Sequence, residues 1–118
     1  MIALLWLTNL HPALAQEDVH LVSAGKQISQ VHCARCHVVD PEKPFTGISS
    51  TPSFSLMVNE LPDWEIRFGS FFARLPHPSI VSFKGEDVDP SVEALHQPVI
   101  LEPKDIDAIV AYARSLKK

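Results

Sequence analysis

The sequence predicts an all-α domain, and three observations lead to that prediction. Apolar residues recur every three or four positions along residues 19–37, which is the spacing of one helix face. The same spacing returns between residues 103 and 116. The segments between these two stretches are either helical in spacing or broken by proline, of which the chain has 10.

Length and charge limit what kind of protein this is. With 118 residues, 46% of them hydrophobic, the chain is long enough for one core and too short for two domains. Its formal net charge is −4, and no stretch concentrates lysine and arginine. Nucleic-acid binding is therefore not expected, because phosphates demand clustered positive charge.

The N-terminal segment predicts export. Residues 2–7 form an apolar run that is too short to span a bilayer, and residues 13–15, Ala-Leu-Ala, make a small-x-small cleavage pattern before Gln16. We expect residues 1–15 to be a signal peptide and residues 16–118 to be the mature domain. The prediction implies a periplasmic protein with no stable membrane insertion.

The first predicted helix runs through residues 19–37. Gly25 interrupts it, at a cost of about 1 kcal/mol relative to alanine, and this suggests close contact with another helix. Its apolar stripe consists of Leu21, Ala24, Ile28, Val31 and Ala34.

That helix leads into a C-x-x-C-H motif at residues 33–37. This spacing is typical of c-type haem attachment, in which both sulfurs add to the haem vinyl groups and the histidine becomes the proximal iron ligand. We therefore expect one haem c, bound covalently through Cys33 and Cys36, with His37 on the iron.

Three other interpretations use the same residues. A zinc site would need a second pair of ligands, but the chain has 2 cysteines in all and no H-x₃₋₅-H partner. A thioredoxin-like redox pair would need a βαβ context, which the helical spacing does not offer. The third alternative is a pair of ordinary buried thiols.

The loop after the motif is expected to wrap the haem edge. Residues 41–52 are punctuated by proline and glycine, so neither helix nor strand is predicted there. A backbone carbonyl of such a loop often holds the second nitrogen of a ligating histidine. Pro52 is our first candidate for that carbonyl and Pro44 the second.

Aromatic residues dominate the middle of the chain. A short helix is predicted around residues 54–60, and a clearer one opens at residues 62–63 and ends at Pro76. The aromatic stripe of this second helix is predicted to be mainly a core face. Phe54, Phe68 and Phe72 are candidates for haem contact. Residues 76–97 are predicted to be irregular.

The last predicted helix has clear ends. Pro103 suits a first turn, Asp105 and Asp107 lie at the positive end, and Arg114 lies at the negative end. Its apolar stripe, which should pack inward, consists of Ile106, Ile109, Val110, Ala113 and Leu116.

Taken together, these stretches resemble the small class I cytochromes c, over nearly all of residues 16–118. The resemblance implies a monohaem, all-α fold in which the N- and C-terminal helices cross, with Gly25 against Tyr112. The stretches that carry it are AGK at residues 24–26, CARCH at 33–37, TPSF at 51–54, LPHP at 75–78 and IVAYARSL at 109–116.

One departure from the family concerns the sixth iron ligand. The family normally supplies a methionine, often shortly after a His-Pro pair, but Ser79 and Ile80 stand there. Aligning residues 96–101 with the family's Met-Pro pattern places His96 at the methionine position, with residues 79–95 as an insertion. We expect His96 to be the distal ligand; His77, Met57 or an open position are the alternatives.

The resemblance implies a function in electron transfer. A haem with two histidine ligands is low-spin and closed to substrates, so we expect a carrier between transient redox partner proteins and no enzymatic activity. The protein could also be a dedicated subunit of a larger oxidoreductase. The alternative from another class is a small-ligand or gas sensor in which His96 is displaced.

Overall fold

The computed structural model describes residues 12–88, 90 and 97–118, with side chains from residue 18 onward. Within these ranges the chain is mainly helical, and the predicted all-α class is confirmed. In chain order the elements are helices α1 (Pro12–His32), α2 (Phe54–Glu60) and α3 (Trp64–Gly69), the 3₁₀ turns Phe71–Ala73 and His77–Ser79, strands β1 (Val81–Phe83) and β2 (Val99–Leu101), and helix α4 (Pro103–Ser115).

Helices α1 and α4 cross in direct backbone contact. A Cβ atom built on Gly25 would lie 1.8 Å from the carbonyl oxygen of Ala108 and 2.9 Å from Cβ of Tyr112. Only glycine leaves room for this approach, so the predicted contact between Gly25 and Tyr112 is confirmed. The crossing places the C-terminal end of α1, from which the motif emerges, beside the core face of α4.

The short helices start where their sequences provide caps. The hydroxyl of Ser53 accepts a hydrogen bond from the backbone N–H of Leu56 at 3.1 Å, which starts α2 at Phe54 as predicted. At α4, Pro103 occupies the first turn, and the carboxylate of Asp105 accepts a hydrogen bond from the N–H of Glu102 at 2.8 Å.

Aromatic rings from α2, α3 and α4 pack together in the core. The ring of Phe54 meets Phe68 edge-on, with 4.9 Å between centroids, and Phe68 meets Trp64 at 6.1 Å. Tyr112 of α4 is buried beside them and lies 6.5 Å from Phe54. Part of the predicted aromatic stripe therefore does form a core face.

The prediction of one helix up to Pro76 was wrong. Helix α3 ends at Gly69, and Ser70 leaves helical geometry with φ −134° and ψ 17°. The hydroxyl of Ser70 donates a hydrogen bond to the carbonyl of Ile66 at 2.6 Å. The side chain thus competes for the carbonyl to which the backbone N–H of Ser70 would bond in a continuing helix. Phe71 and Phe72 then follow in a 3₁₀ turn and are half-buried.

The stretch predicted to be irregular also contains regular structure. Strands β1 and β2 pair in parallel, with Val81 opposite Val99 and Phe83 opposite Leu101. Each strand is three residues long, which is too short to show the alternation of apolar and polar residues that predicts a strand. The pairing depends on contact between segments that are distant in the chain.

The predicted signal peptide lies mostly outside the described residues. Helix α1 begins at Pro12, so the expected cleavage after Ala15 would fall within its first turns, and cleavage stays a prediction. Within the described part of the chain, none of the helices combines the length and the apolar character needed to cross a bilayer.

Candidate haem site

The C-x-x-C-H motif forms a single tight turn at the end of α1. The helix ends at His32, earlier than predicted. The N–H of Cys33 still makes the helical bond to the carbonyl of Ser29 at 2.8 Å, but the N–H of Ala34 bonds to the same carbonyl, at 3.1 Å, and so departs from the helical pattern. The carbonyl of Cys33 then accepts from the N–H groups of Cys36 and His37, at 3.1 and 2.9 Å. This turn holds both thiols and the imidazole in one compact unit.

His37 is oriented by the loop that follows it. Its Nδ1 lies 2.7 Å from the carbonyl oxygen of Pro52, which is the contact expected for our first candidate. Because a carbonyl only accepts, Nδ1 carries the proton and the lone pair of neutral imidazole lies on Nε2, the nitrogen left for a metal. Burial lowers the pKa of His37, which favours this neutral form.

The same loop closes tightly over the motif. The N–H of Ile48 bonds to the carbonyl of Cys36 at 3.0 Å, and the N–H of Phe54 bonds to the carbonyl of Val38 at 3.0 Å. Gly47 has φ +78°, and a Cβ atom there would lie 2.8 Å from the carbonyl carbon of His37. Glycine is therefore required at the point where the loop passes over the histidine.

A large cavity opens beside the motif. Its volume is about 940 Å³, near the upper end of the roughly 300–1,000 Å³ typical of cofactor sites. Cys33, Cys36 and His37 line one side, and the apolar wall includes Leu101 and Ile109. Two thiols and a metal-binding nitrogen at an apolar cavity of this size fit a covalently attached porphyrin.

The environment of Cys33 differs from that of a redox-active thiol. Burial raises its pKa to about 11, so the thiol is protonated at neutral pH. Reactive dithiols have lowered pKa values, which is why this environment does not favour a thioredoxin-like pair. Among the described residues, no group of three or more His, Cys, Asp or Glu side chains could hold a separate metal ion.

The predicted haem-contact residues are only partly brought together. Pro52, Phe54 and Phe68 line the cavity. Phe72 is not among the lining residues; its ring packs instead on Phe83, 5.0 Å away, because the 3₁₀ turn rotates it off the α3 face. Sequence reasoning missed Leu101, although the apolar run at residues 99–101 before Pro103 was a signal for a buried segment.

The candidates for the sixth ligand are placed differently. His96 lies outside the described residues, so its role stays a prediction. Met57 and His77 both line the cavity, and the rings of His77 and His37 are nearly parallel, with an interplanar angle of 6° and 6.2 Å between centroids.

Comparison with known protein families agrees with this geometry. The sequence model of the cytochrome c family, described as "Cytochrome c", matches residues 22–117. The chain belongs to the cytochrome c family. Neither the curated proteins nor the solved structures with which the chain was compared gave a match.

Membership of the family establishes the cofactor and the general function. Proteins of this family bind haem c covalently and transfer electrons, and they work with redox partner proteins. In this cytochrome, the residues that fit the attachment are Cys33 and Cys36, with the Nε2 atom of His37 available to the iron. The family generally consists of electron carriers, so a gas-sensing function is not favoured.

Proposed function

We propose that this cytochrome is an exported, periplasmic carrier that passes single electrons between transient partner proteins, and that histidine nitrogens occupy both axial positions of its haem. The observation that carries the proposal is the cavity in which His37 faces a second histidine, His77, across 6.2 Å. When bound, the haem supplies the redox-active iron. His37 and a second histidine would hold that iron and leave no position open to a substrate, which suits electron exchange rather than substrate binding.

The rim of the cavity supports contact with other proteins. Ile48, Leu56 and Leu75 line the cavity and are 50%, 53% and 88% exposed, so apolar side chains surround its opening. Arg35 and Arg74 add positive charge to the same rim, although the chain as a whole carries −4. A small apolar rim with peripheral charge suits a weak, rapidly exchanging interface.

Histidine on both faces has a consequence for the reduction potential. Methionine raises the potential of a haem relative to a second histidine, so we expect this cytochrome to lie below its methionine-ligated relatives. An anaerobic redox titration followed by absorption should show one reversible transition of one electron. The oxidised protein should be low-spin and should lack the near-infrared sulfur-to-iron band.

Carbon monoxide distinguishes the carrier from a ligand-binding protein. If two side chains close the iron, the spectrum of the reduced cytochrome should not change when carbon monoxide is added. A rapid spectral change at low gas concentration would reject the closed-site proposal and favour the sensor.

The proposed export has a separate test. Expression in a Gram-negative host should give haem-loaded protein in the periplasmic fraction, and N-terminal sequencing should begin at Gln16. Recovery of an uncleaved protein in the cytoplasm would contradict export without affecting the ligand assignment.

A further inference from the structure

We infer that His77, rather than His96, is the second axial ligand of the haem iron. The inference rests on the proposed bis-histidine site and specifies which side chain completes it. His77 lies in the 3₁₀ turn His77–Ser79, between α3 and β1, and reaches the same cavity as His37 from a different part of the chain.

The separation between the centres of the two imidazole rings is compatible with two ligands on one metal. Their centroids are 6.2 Å apart and their planes differ by 6°. A metal–imidazole bond is about 2 Å long and a ring nitrogen lies about 1 Å from its ring centre, so two imidazoles on opposite sides of one metal have centroids about 6 Å apart. The observed separation agrees with that value.

The hydrogen bonds of His77 repeat those of His37. Nδ1 of His77 lies 3.0 Å from the carbonyl oxygen of Arg74, just as Nδ1 of His37 lies 2.7 Å from that of Pro52. Each carbonyl accepts a hydrogen bond from Nδ1, so Nε2 is the nitrogen of each ring that is left for a metal. A backbone carbonyl bonded to the distant nitrogen is the usual support of a metal-ligating histidine.

The surroundings also fix the position of the His77 ring. The edge of Phe71 packs against it, with 5.2 Å between centroids and an interplanar angle of 79°. The backbone of His77 is held on both sides: its N–H bonds to the carbonyl of Arg74 at 2.9 Å, and its carbonyl accepts from the N–H of Ile80 at 2.8 Å. The side chain is therefore oriented by the fold before any metal is bound.

The contact between Nδ1 of His77 and the carbonyl of Arg74 caps the loop that contains this histidine. Capping and ligation use different nitrogens, so one role does not exclude the other. The rival inside the cavity is Met57 of α2, whose thioether would give a different spectrum.

The test compares three variants of the full-length, haem-loaded protein. His77→Ala should convert the oxidised haem from low-spin to high-spin and allow carbon monoxide to bind after reduction. Added imidazole should restore the low-spin spectrum. His96→Ala is the matched control and should keep the wild-type spectrum. His77→Met should gain the near-infrared sulfur-to-iron band and a higher potential.

The outcomes separate this inference from the proposed function. A high-spin His96→Ala together with a low-spin His77→Ala would overturn the inference and leave bis-histidine ligation intact. A sulfur band in the wild-type protein would reject bis-histidine ligation itself and point to Met57. If His77→Ala does not fold, His77→Met decides: an unchanged spectrum without the sulfur band would overturn the assignment.

Discussion

Gly25 of α1 lies directly against Ala108 of α4, so closely that a Cβ atom on Gly25 would be 1.8 Å from the carbonyl oxygen of Ala108. The nearest obstacle is backbone, which cannot rotate away as a side chain can. The crossing of the terminal helices therefore depends on the absence of one methyl group. Since the haem motif directly follows α1, a displacement of the helices at this crossing should also displace the residues that bind the haem.

Substituting Gly25 should be destabilising although alanine is the better helix former. Gly25→Ala should lower the free energy of unfolding by about 1–3 kcal/mol, the typical cost of overpacking, and Gly25→Leu should cost more. Chemical denaturation of the haem-loaded protein measures the effect. Gly69→Ala is the control, since a Cβ atom there would meet nothing within 4 Å; equal losses in both variants would contradict the close crossing.

Tyr112 contributes through both its ring and its hydroxyl. The hydroxyl donates a hydrogen bond to the carbonyl of Val39 at 3.0 Å, and both residues are buried. Tyr112→Phe should lower stability by about 1–3 kcal/mol because it leaves that carbonyl unpaired, and Tyr112→Ala by about 3–5 kcal/mol because it also leaves a cavity. A Tyr112→Phe variant that unfolds at the same denaturant concentration as wild type would show that the hydrogen bond contributes nothing.

Covalent attachment should survive extraction. After acid-acetone treatment all colour should stay with the polypeptide, because two thioether bonds hold the haem. Cys33→Ala and Cys36→Ala should each weaken retention, and His37→Ala should in addition lose the normal spectrum. Colour in the acetone phase of the wild-type protein, or a normal spectrum in the His37 variant, would contradict the assignment.

Substitution of Gly47 should disturb the loop that passes over His37. Gly47 and Gly85 both have positive φ, 78° and 92°, but only at Gly47 would a Cβ atom meet the backbone of His37. Alanine at either site should cost about 1–2 kcal/mol for the left-handed conformation. Gly47→Ala alone should also shift the reduction potential, because it displaces the loop that holds the imidazole. A matching shift in Gly85→Ala would argue against this explanation.

Acid stability should depend on Asp40, which ties the loop after the motif to α1. The N–H of Glu42 and the ammonium of Lys26, 3.1 Å away, lower the pKa of the Asp40 carboxyl. The resulting stability is present above the ordinary aspartate pKa of about 4 and is lost as the pH falls through the lower folded value. Asp40→Asn should therefore be less stable than wild type at pH 6, and the gap should narrow towards pH 2. Melting temperatures of both proteins across that pH range measure the difference in stability. A difference that stays the same from pH 6 to pH 2 would contradict the role of Asp40.

The features that the sequence predicted correctly depend on neighbours in the chain. The attachment motif is five consecutive residues, and one turn of backbone is enough to bring its thiols and imidazole together. The start of α2 at Phe54 and of α4 at Pro103 follows from a capping serine and a first-turn proline. Even the bond from His37 to Pro52 could be anticipated, because the loop that supplies the carbonyl follows the histidine directly in the chain.

Only the tertiary structure decided features that join distant parts of the chain. The break of α3 at Ser70 turns Phe72 towards Phe83, and the pairing of β1 with β2 brings together segments on either side of residues 89–96. His77 shows the difference most clearly. Folding places the His77 ring 6.2 Å from that of His37, because α2, α3 and the turn after them lie between the two residues and bring them to the same cavity. Such a contact between residues far apart in the sequence leaves no local pattern and arises from the packing of those elements.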